Sequence, residues 1–247
     1  MGSDSIFLTI AEAIDAMVID FRQYEPQILL FCSLISLISE NEVRFQREAG
    51  KEGVWINRRG RRNMRWLGGE ELVEYMCTAI RKTPWTMDLL AAACMRVFQS
   101  RAIPVTDPET GRQGIEIDTQ MDDFECRRCG CCCRSLDYHN EVGAEDVEMW
   151  RSLGRDDILR WVETGLREDK AVGYRIWVEP GTRRLSPTCP FLEKEPTADR
   201  WGCTIHAVKP RICRNYPVSR KHAVMTGCRG FENGRTTWSA GSKENKY

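Results

Sequence analysis

The sequence predicts a mixed α+β protein, mainly helical, in which a helical N-terminal part is followed by a small, loop-rich, metal-stabilised cysteine domain. Two observations carry this. Apolar side chains recur at three- and four-residue steps through much of residues 1–120, the spacing of helices with one buried face. Nine of the twelve cysteines lie between 126 and 228, where Pro, Gly and Cys interrupt every regular run. The predicted organisation is a helical region over 1–120, a cysteine-rich metal- or cluster-binding domain over 121–235, and a flexible tail over 236–247.

Taken in order, residues 27–47 combine an apolar run with a charged far end and predict a helix. "EELVEYMCTAIRK" over 70–82 predicts a second. Thr83 followed by Pro84 reads as an N-cap and first-turn proline opening a third helix through about residue 101, with Pro104 just beyond it. "TDPETGRQG" (106–114) is turn chemistry and a candidate boundary. Two short helices are expected at about 144–153 and 155–167, parted near Gly154. "VGYRIWVE" (172–179) alternates and is β-branched or aromatic enough for a strand. Beyond it the punctuation forbids long elements, and metal ligation is expected to supply much of the order.

Charge and length exclude several classes. The chain has 36 basic and 36 acidic side chains, so nothing drives general attraction to nucleic acid or a membrane surface. The apolar run "ILLFCSLISLI" has eleven residues, against about 20 for a membrane-spanning helix. The N-terminal stretch lacks a basic start and carries Glu12 and Asp15 through its apolar part, unlike a secretory signal. These features predict a cytoplasmic, reduced protein, where many cysteines favour metal binding over disulfides.

"FECRRCGCCCRSLD" (124–137) holds five cysteines within eight positions. Cys126, Cys129 and Cys132 stand at C-x2-C-x2-C, the spacing by which a tight loop supplies three thiolates to an iron–sulfur cube while a fourth comes from farther along. Cys189 is followed by Pro190, as the last ligand of that class often is. Cys133 adjoins Cys132, and neighbouring side chains are expected to point apart. With Cys203, Cys213 and Cys228 the candidates number eight, enough for two four-ligand sites. Zinc and iron–sulfur ligands share these spacings, so purely structural zinc is the alternative. Arg127, Arg128, Arg134, Arg211 and Arg214 flank the candidates, and are expected to offset an anionic centre and lower the thiol pKa values.

These motifs, "CRRCGCCCR", "CPFL" and "CTIHAVKPRICRNYP", resemble the cysteine-cluster family often called YkgJ, described as zinc- or iron-chelating. The resemblance covers residues 124–218, extends to Cys228, and does not reach the N-terminal part. It implies Cys126, Cys129, Cys132, Cys133, Cys189, Cys203 and Cys213 as ligands, with Cys228 following. This chain departs from the family pattern where Cys131 adds a thiol, His206 replaces a tyrosine, and Lys209 replaces the arginine before Pro210.

Of the three histidines, His206, three residues after Cys203, is the best candidate for an added ligand; His139 and His222 are weaker. "WINRRGRRNMRW" (55–66) sets Arg58, Arg59, Arg61, Arg62 and Arg65 between two tryptophans, a pattern able to grip RNA, phosphates or an acidic protein. The plainer reading is a solvated loop anchored by its tryptophans. Cys32, Cys77 and Cys94 sit on apolar helical faces and read as buried thiols. The leading expectation is a metal-binding protein carrying an iron–sulfur cluster, 4Fe–4S favoured over zinc, for electron transfer or support of a redox or maturation partner protein. A zinc-stabilised binding module is the first alternative. An N-methylase-like enzyme is the second, since relatives of this cysteine cluster resemble flagellin lysine N-methylases; the sequence contains no recognisable methyl-donor motif.

Overall fold

A computed structural model describes residues 5–24, 27–40, 42–58, 63–167, 170–196 and 200–231. The chain divides into two units, Met1–Asp122 and Asp123–Tyr247. The tail expected over 236–247 lies outside the described residues.

In the first unit, strand β1 (Ser5–Thr9) runs into helix α1 (Ile10–Gln23). Thr9 and Glu12 close a reciprocal capping box, each side chain bonding the other's backbone N–H, which satisfies two donors that a helix start otherwise leaves open. Helix α2 is Ile28–Ile38, shorter than the expected 27–47. The Ser39 hydroxyl donates to the Ile35 carbonyl at 2.6 Å, and Glu40 takes a left-handed backbone at φ 50°. The charged far end is strand β2 (Val43–Gln46), whose alternation of buried Val43 with exposed Arg44 marks a period of two. It pairs antiparallel with β3 (Gly53–Arg58), which pairs with β4 (Arg65–Gly68). Trp55 and Trp66 face each other in that register with ring centroids 5.4 Å apart.

Helix α3 (Gly69–Lys82) agrees with its sequence prediction to within a residue. The next helix, α4 (Met87–Phe98), does not begin at Pro84. Thr83 ends α3, its hydroxyl donating back to the Ala79 carbonyl at 2.8 Å, while the Thr86 hydroxyl accepts from the Leu89 N–H at 3.2 Å and caps α4. Residues 106–114 form the turn between β5 (Ala102–Thr106) and β6 (Gln113–Asp118), inside the first unit. β6 is the middle strand of an antiparallel sheet ordered β1-β6-β5. The N-terminal region is thus helices plus two three-stranded sheets, because stretches read at helical period also satisfy a period of two. Its core gathers Met17, Phe21, Phe31, Leu34, Leu72, Met76, Ile80 and Leu90, all within 1% of full burial. Cys77 and Cys94 are fully buried there, and half-buried Cys32 packs against this core. No helix among the described residues is long and apolar enough to cross a membrane.

The second unit has short elements, as its punctuation predicts. They are α5 (Cys131–Ser135), α6 (Ala144–Ser152), α7 (Asp156–Leu159), the hairpin β7 (Val162–Arg167) and β8 (Lys170–Ile176), and the hairpin β9 (Leu192–Lys194) and β10 (Trp201–Cys203). A 3-10 turn (His206–Val208), α8 (Arg211–Arg214) and α9 (Arg220–Met225) follow. The expected helix over 155–167 stops at Leu159, because pairing with β8 takes up the backbone groups of Val162–Arg167. The predicted strand ends at Ile176, where Trp177 turns left-handed at φ 60°. The core is small: Val142, Val147, Trp150, Ile158, Ile176, Trp177 and Ile205.

Two polar ties fix α6 to the segment carrying Cys213. The Trp150 indole N–H donates to the Val208 carbonyl at 2.7 Å. The Asp146 carboxylate, 2% exposed, accepts from the Arg211 N–H at 2.8 Å and from the Arg214 guanidinium at 3.2 Å. Replacing the buried Asp146 by alanine leaves the Arg211 N–H without its acceptor. We expect Asp146→Ala to lower the stability of the second unit by about 2 kcal/mol, and Asp146→Asn, which keeps an acceptor oxygen, by less. Urea unfolding of both variants followed by tryptophan fluorescence measures the difference.

Candidate metal centre

The cysteine loop is shaped by Gly130. At φ 67° it takes a left-handed conformation, and a Cβ there would stand 2.9 Å from Cγ of Trp201 and 3.3 Å from Cδ2 of Leu192. With Arg128 also left-handed at φ 53°, the chain turns tightly into α5, whose first turn holds Cys131, Cys132 and Cys133. Arg134 staples the reversal, its guanidinium donating to the Cys129 carbonyl at 2.9 Å and the Gly130 carbonyl at 3.3 Å while lying 4.9 Å from the Trp201 ring. The Trp201 N–H donates in turn to the Arg128 carbonyl at 2.7 Å.

The distant cysteines come to this loop by separate routes. The Cys189 N–H donates to the Cys133 carbonyl at 2.9 Å, which brings the Cys-Pro turn against α5. Cys203 ends β10 opposite Leu192. Cys213 rides on α8, and Cys228 follows α9, its N–H donating to the Ala223 carbonyl at 2.8 Å. Cys126, Cys132, Cys133, Cys189, Cys203 and Cys213 line one cavity of about 670 Å³. Cys129 and Cys228 do not line it.

Cys132 and Cys133 do not point apart as expected: their sulfurs lie 3.9 Å from each other, because both sit in one short helical turn with room on its cavity side. Cys131, the thiol absent from the family pattern, has the Arg134 guanidinium 4.0 Å away, and neighbouring Cys129 with burial raises its pKa. His206 is exposed on the 3-10 turn at the cavity wall. His139 is held by Asp137 at 2.6 Å and the Ser186 carbonyl at 3.0 Å, and His222 packs edge-on against Tyr216 with burial depressing its pKa.

Several thiols are shifted upward, against the expectation that the arginines lower them. The hydrogen bond to Cys133 and burial push the Cys132 thiol far above its ordinary range. Neighbouring Cys132 favours the Cys133 thiolate, yet Cys189 and burial still raise it to about 12. Burial, with the neighbouring Cys132 and Cys203, pushes Cys213 up to about 12. The flanking arginines do not offset this because most are engaged elsewhere. Arg127 pairs with Glu125 at 3.3 Å, Arg128 with Glu195, and Arg214 with Asp146.

A loop-rich unit that brings cysteines from four parts of the chain to one cavity is the construction of a cysteine-rich chelating module. Comparison with protein families agrees: residues 125–230 match the family model CxxCxxCC, described as a "putative zinc- or iron-chelating domain". The match supports a metal-binding protein. No curated protein and no solved structure matches the chain.

The residues fit such a group by the chemistry of their donors, since thiolates select zinc and iron–sulfur centres. Two thiolates on one tetrahedral zinc, with bonds of 2.3 Å, stand about 3.8 Å apart, close to the spacing of Cys132 and Cys133. Among the described residues no group of three or more His, Cys, Asp or Glu side chains stands ready around one point. Sequence reasoning missed the aromatic part of the cavity wall, Tyr138, Trp177, Trp201 and Tyr216. Tyr138 and Tyr216 meet at 6.2 Å across 78 residues of chain, and no local pattern announces that contact.

In the stretch 55–66, Trp55 donates to Glu48 and packs on Trp66, and Arg65 pairs with Glu71, as an anchored loop requires. Arg59, Arg61 and Arg62 lie outside the described residues, as does the side chain of Arg58.

Two outcomes follow from this geometry. Gly130→Ala places a Cβ against Trp201 and forces an L-residue into a left-handed backbone. It should destabilise the second unit by about 1–3 kcal/mol, read by denaturant unfolding beside wild type. The raised thiols make pH a second test. A thiol whose folded pKa lies above its unfolded value stabilises fully below the unfolded pKa, near 9, and less as pH rises toward the folded value, here about 12 for Cys133 and Cys213. With chelator present, the unit should lose stability steadily above pH 9, and Cys213→Ser should flatten that decline.

Proposed function

We propose that the second unit carries an iron–sulfur cluster, of the 4Fe–4S kind, serving electron transfer or a redox or maturation partner protein. One observation supports this above others: the Cys189-Pro190 turn is bonded through its amide to Cys133, at the end of the C-x2-C-x2-C loop. That loop plus a remote Cys-Pro is the ligand pattern of such clusters. Cys126, Cys129, Cys132 and Cys189 are the first set of ligands in this reading, with Cys133, Cys203, Cys213 and Cys228 as the reserve or a second set. When bound, the group would supply reversible one-electron chemistry. The protein supplies the thiols, the buried setting and the Arg134 staple that holds the loop.

Zinc is the second reading, and the 3.9 Å approach of Cys132 to Cys133 favours it, because a cube gives each iron one thiolate and spreads the sulfurs farther. A zinc-stabilised module would leave recognition to the surface, including the arginine-rich stretch. The two readings part on one measurement. Protein purified without oxygen should contain iron and acid-labile sulfide in equal amounts and absorb broadly in the visible, and Cys129→Ser with Cys132→Ser should remove that absorbance. Zinc without sulfide, in a colourless protein that unfolds on chelation, would replace the cluster by a scaffold metal.

A further inference from the structure

The thirty-two residues from Arg200 to Phe231 hold seven Lys or Arg and not one Asp or Glu. In a chain with 36 of each sign, that concentrates positive charge in one segment. The same segment supplies Cys203, Cys213 and Cys228.

Its last part is a knot folded around α9. The Ser219 hydroxyl accepts from the His222 N–H at 3.1 Å and caps the helix, and the Val218 N–H donates to Nδ1 of His222 at 3.4 Å. Past the helix, the Cys228 N–H returns to the Ala223 carbonyl at 2.8 Å. Tyr216 ties α8 to this knot by sharing a hydrogen bond with the Thr226 hydroxyl at 2.6 Å. Arg220 and Val224, four apart on α9, lie on one side of it. Val218, Val224 and Met225 are 51%, 45% and 41% exposed. Three exposed aliphatic side chains within eight residues, set among cations, make a mixed surface rather than a solvated face.

The cations differ in what they are free to do. Arg214 is spent on Asp146. Arg220 stands 5.0 Å from the Phe231 ring, which fixes its place and leaves its charge intact. Arg211 is exposed, and its guanidinium makes no ion pair among the described residues. The kind of partner follows from this make-up. Single-stranded nucleic acid needs free aromatic rings to stack on, and here Tyr216 is taken by Tyr138 and His222 while Phe231 lies under Arg220. A helix lying on a membrane buries a continuous apolar face, and α9 has six residues. A protein surface that mixes carboxylates with apolar side chains matches both components.

We propose that α8 and α9 dock the acidic face of a partner protein. Its carboxylates meet Arg211 and Arg220, and its apolar side chains cover Val218, Val224 and Met225. The preceding reading enters only in making this the partner that the metal centre serves; the docking surface stands on charge and exposure.

The probe is a fluorescein-labelled random copolymer of glutamate and tyrosine, titrated into the full chain with metal content measured on each sample. We expect saturable binding, tighter than that of polyglutamate, which weakens as salt rises from about 0.05 to 0.3 M. Arg211→Glu with Arg220→Glu should weaken it about tenfold. Arg160→Glu with Arg184→Glu alters net charge equally at two exposed positions outside this segment, and should cost about twofold at most. Val224→Ser with Met225→Ser leaves every charge in place. It should remove the advantage over polyglutamate, and it serves if the charge reversals fail to fold. Absence of saturable binding to metal-loaded protein, or equal loss in the two charge-reversed proteins, would overturn the surface and leave the metal reading standing. Tighter binding to oligothymidylate or to phosphatidylserine vesicles would overturn it in favour of nucleic acid or a membrane. Copolymer binding that depends on Arg211 and Arg220 in a chain carrying no metal from any preparation would uphold the surface and remove the metal reading instead.

Discussion

The Asp146 carboxylate accepts at once from the Arg211 N–H and the Arg214 guanidinium, and its helix also delivers the Trp150 indole to the Val208 carbonyl. Much of the second unit depends on this junction. Among the described residues its main buried cluster gathers seven hydrophobic residues, a small core from which to place eight thiols by packing alone. Segments that carry single cysteines must therefore be located by directional bonds. The pattern repeats at each approach: Asp146 for Cys213, the Cys133 carbonyl for Cys189, the Ala223 carbonyl for Cys228. A buried acceptor with two donors is a demanding arrangement, since losing one partner leaves the others desolvated. That asymmetry makes such a tie a strong specifier of position even where its net contribution to stability is modest.

The same logic separates what the sequence could tell from what it could not. The cysteine motifs were legible because ligand chemistry is written in local spacing, and the family match spans the same residues. Helix α3 was legible because its apolar face, Leu72, Met76, Cys77 and Ile80, has no competing period. The stretch after α2 was misread because V-R-F-Q satisfies both periods until pairing with β3 decides it. The two threonines before α4 differ only in where their hydroxyls find partners, Thr83 backward to Ala79 and Thr86 forward to Leu89. Tyr138, Trp177 and Trp201 carry no signal at all, since their shared cavity is a product of long-range contacts.

Arginines near ligand candidates invite the idea of a pre-charged site, and the structure separates proximity in sequence from proximity of charge. Arg127, Arg128 and Arg214 are spent on carboxylates, and Arg134 mainly on backbone carbonyls that hold the loop. Their work is positional. The thiols meanwhile crowd one another in partial burial, so that Cys132, Cys133 and Cys213 all favour the protonated form. Desolvation opposes bringing several thiolates together, and a cation is what removes the penalty.

A metal entering such a site must displace protons from thiols that hold them more tightly than free cysteine does. Binding is then proton-coupled, and the affinity at neutral pH is lowered for every divalent ion alike. Soft, thiophilic metals form bonds strong enough to overcome that handicap, whereas oxygen-seeking ions such as magnesium do not. A penalty common to all ions leaves their order of affinity to the thiol donors, and the ties made by the Asp146 carboxylate and the Cys133 carbonyl set where those donors stand.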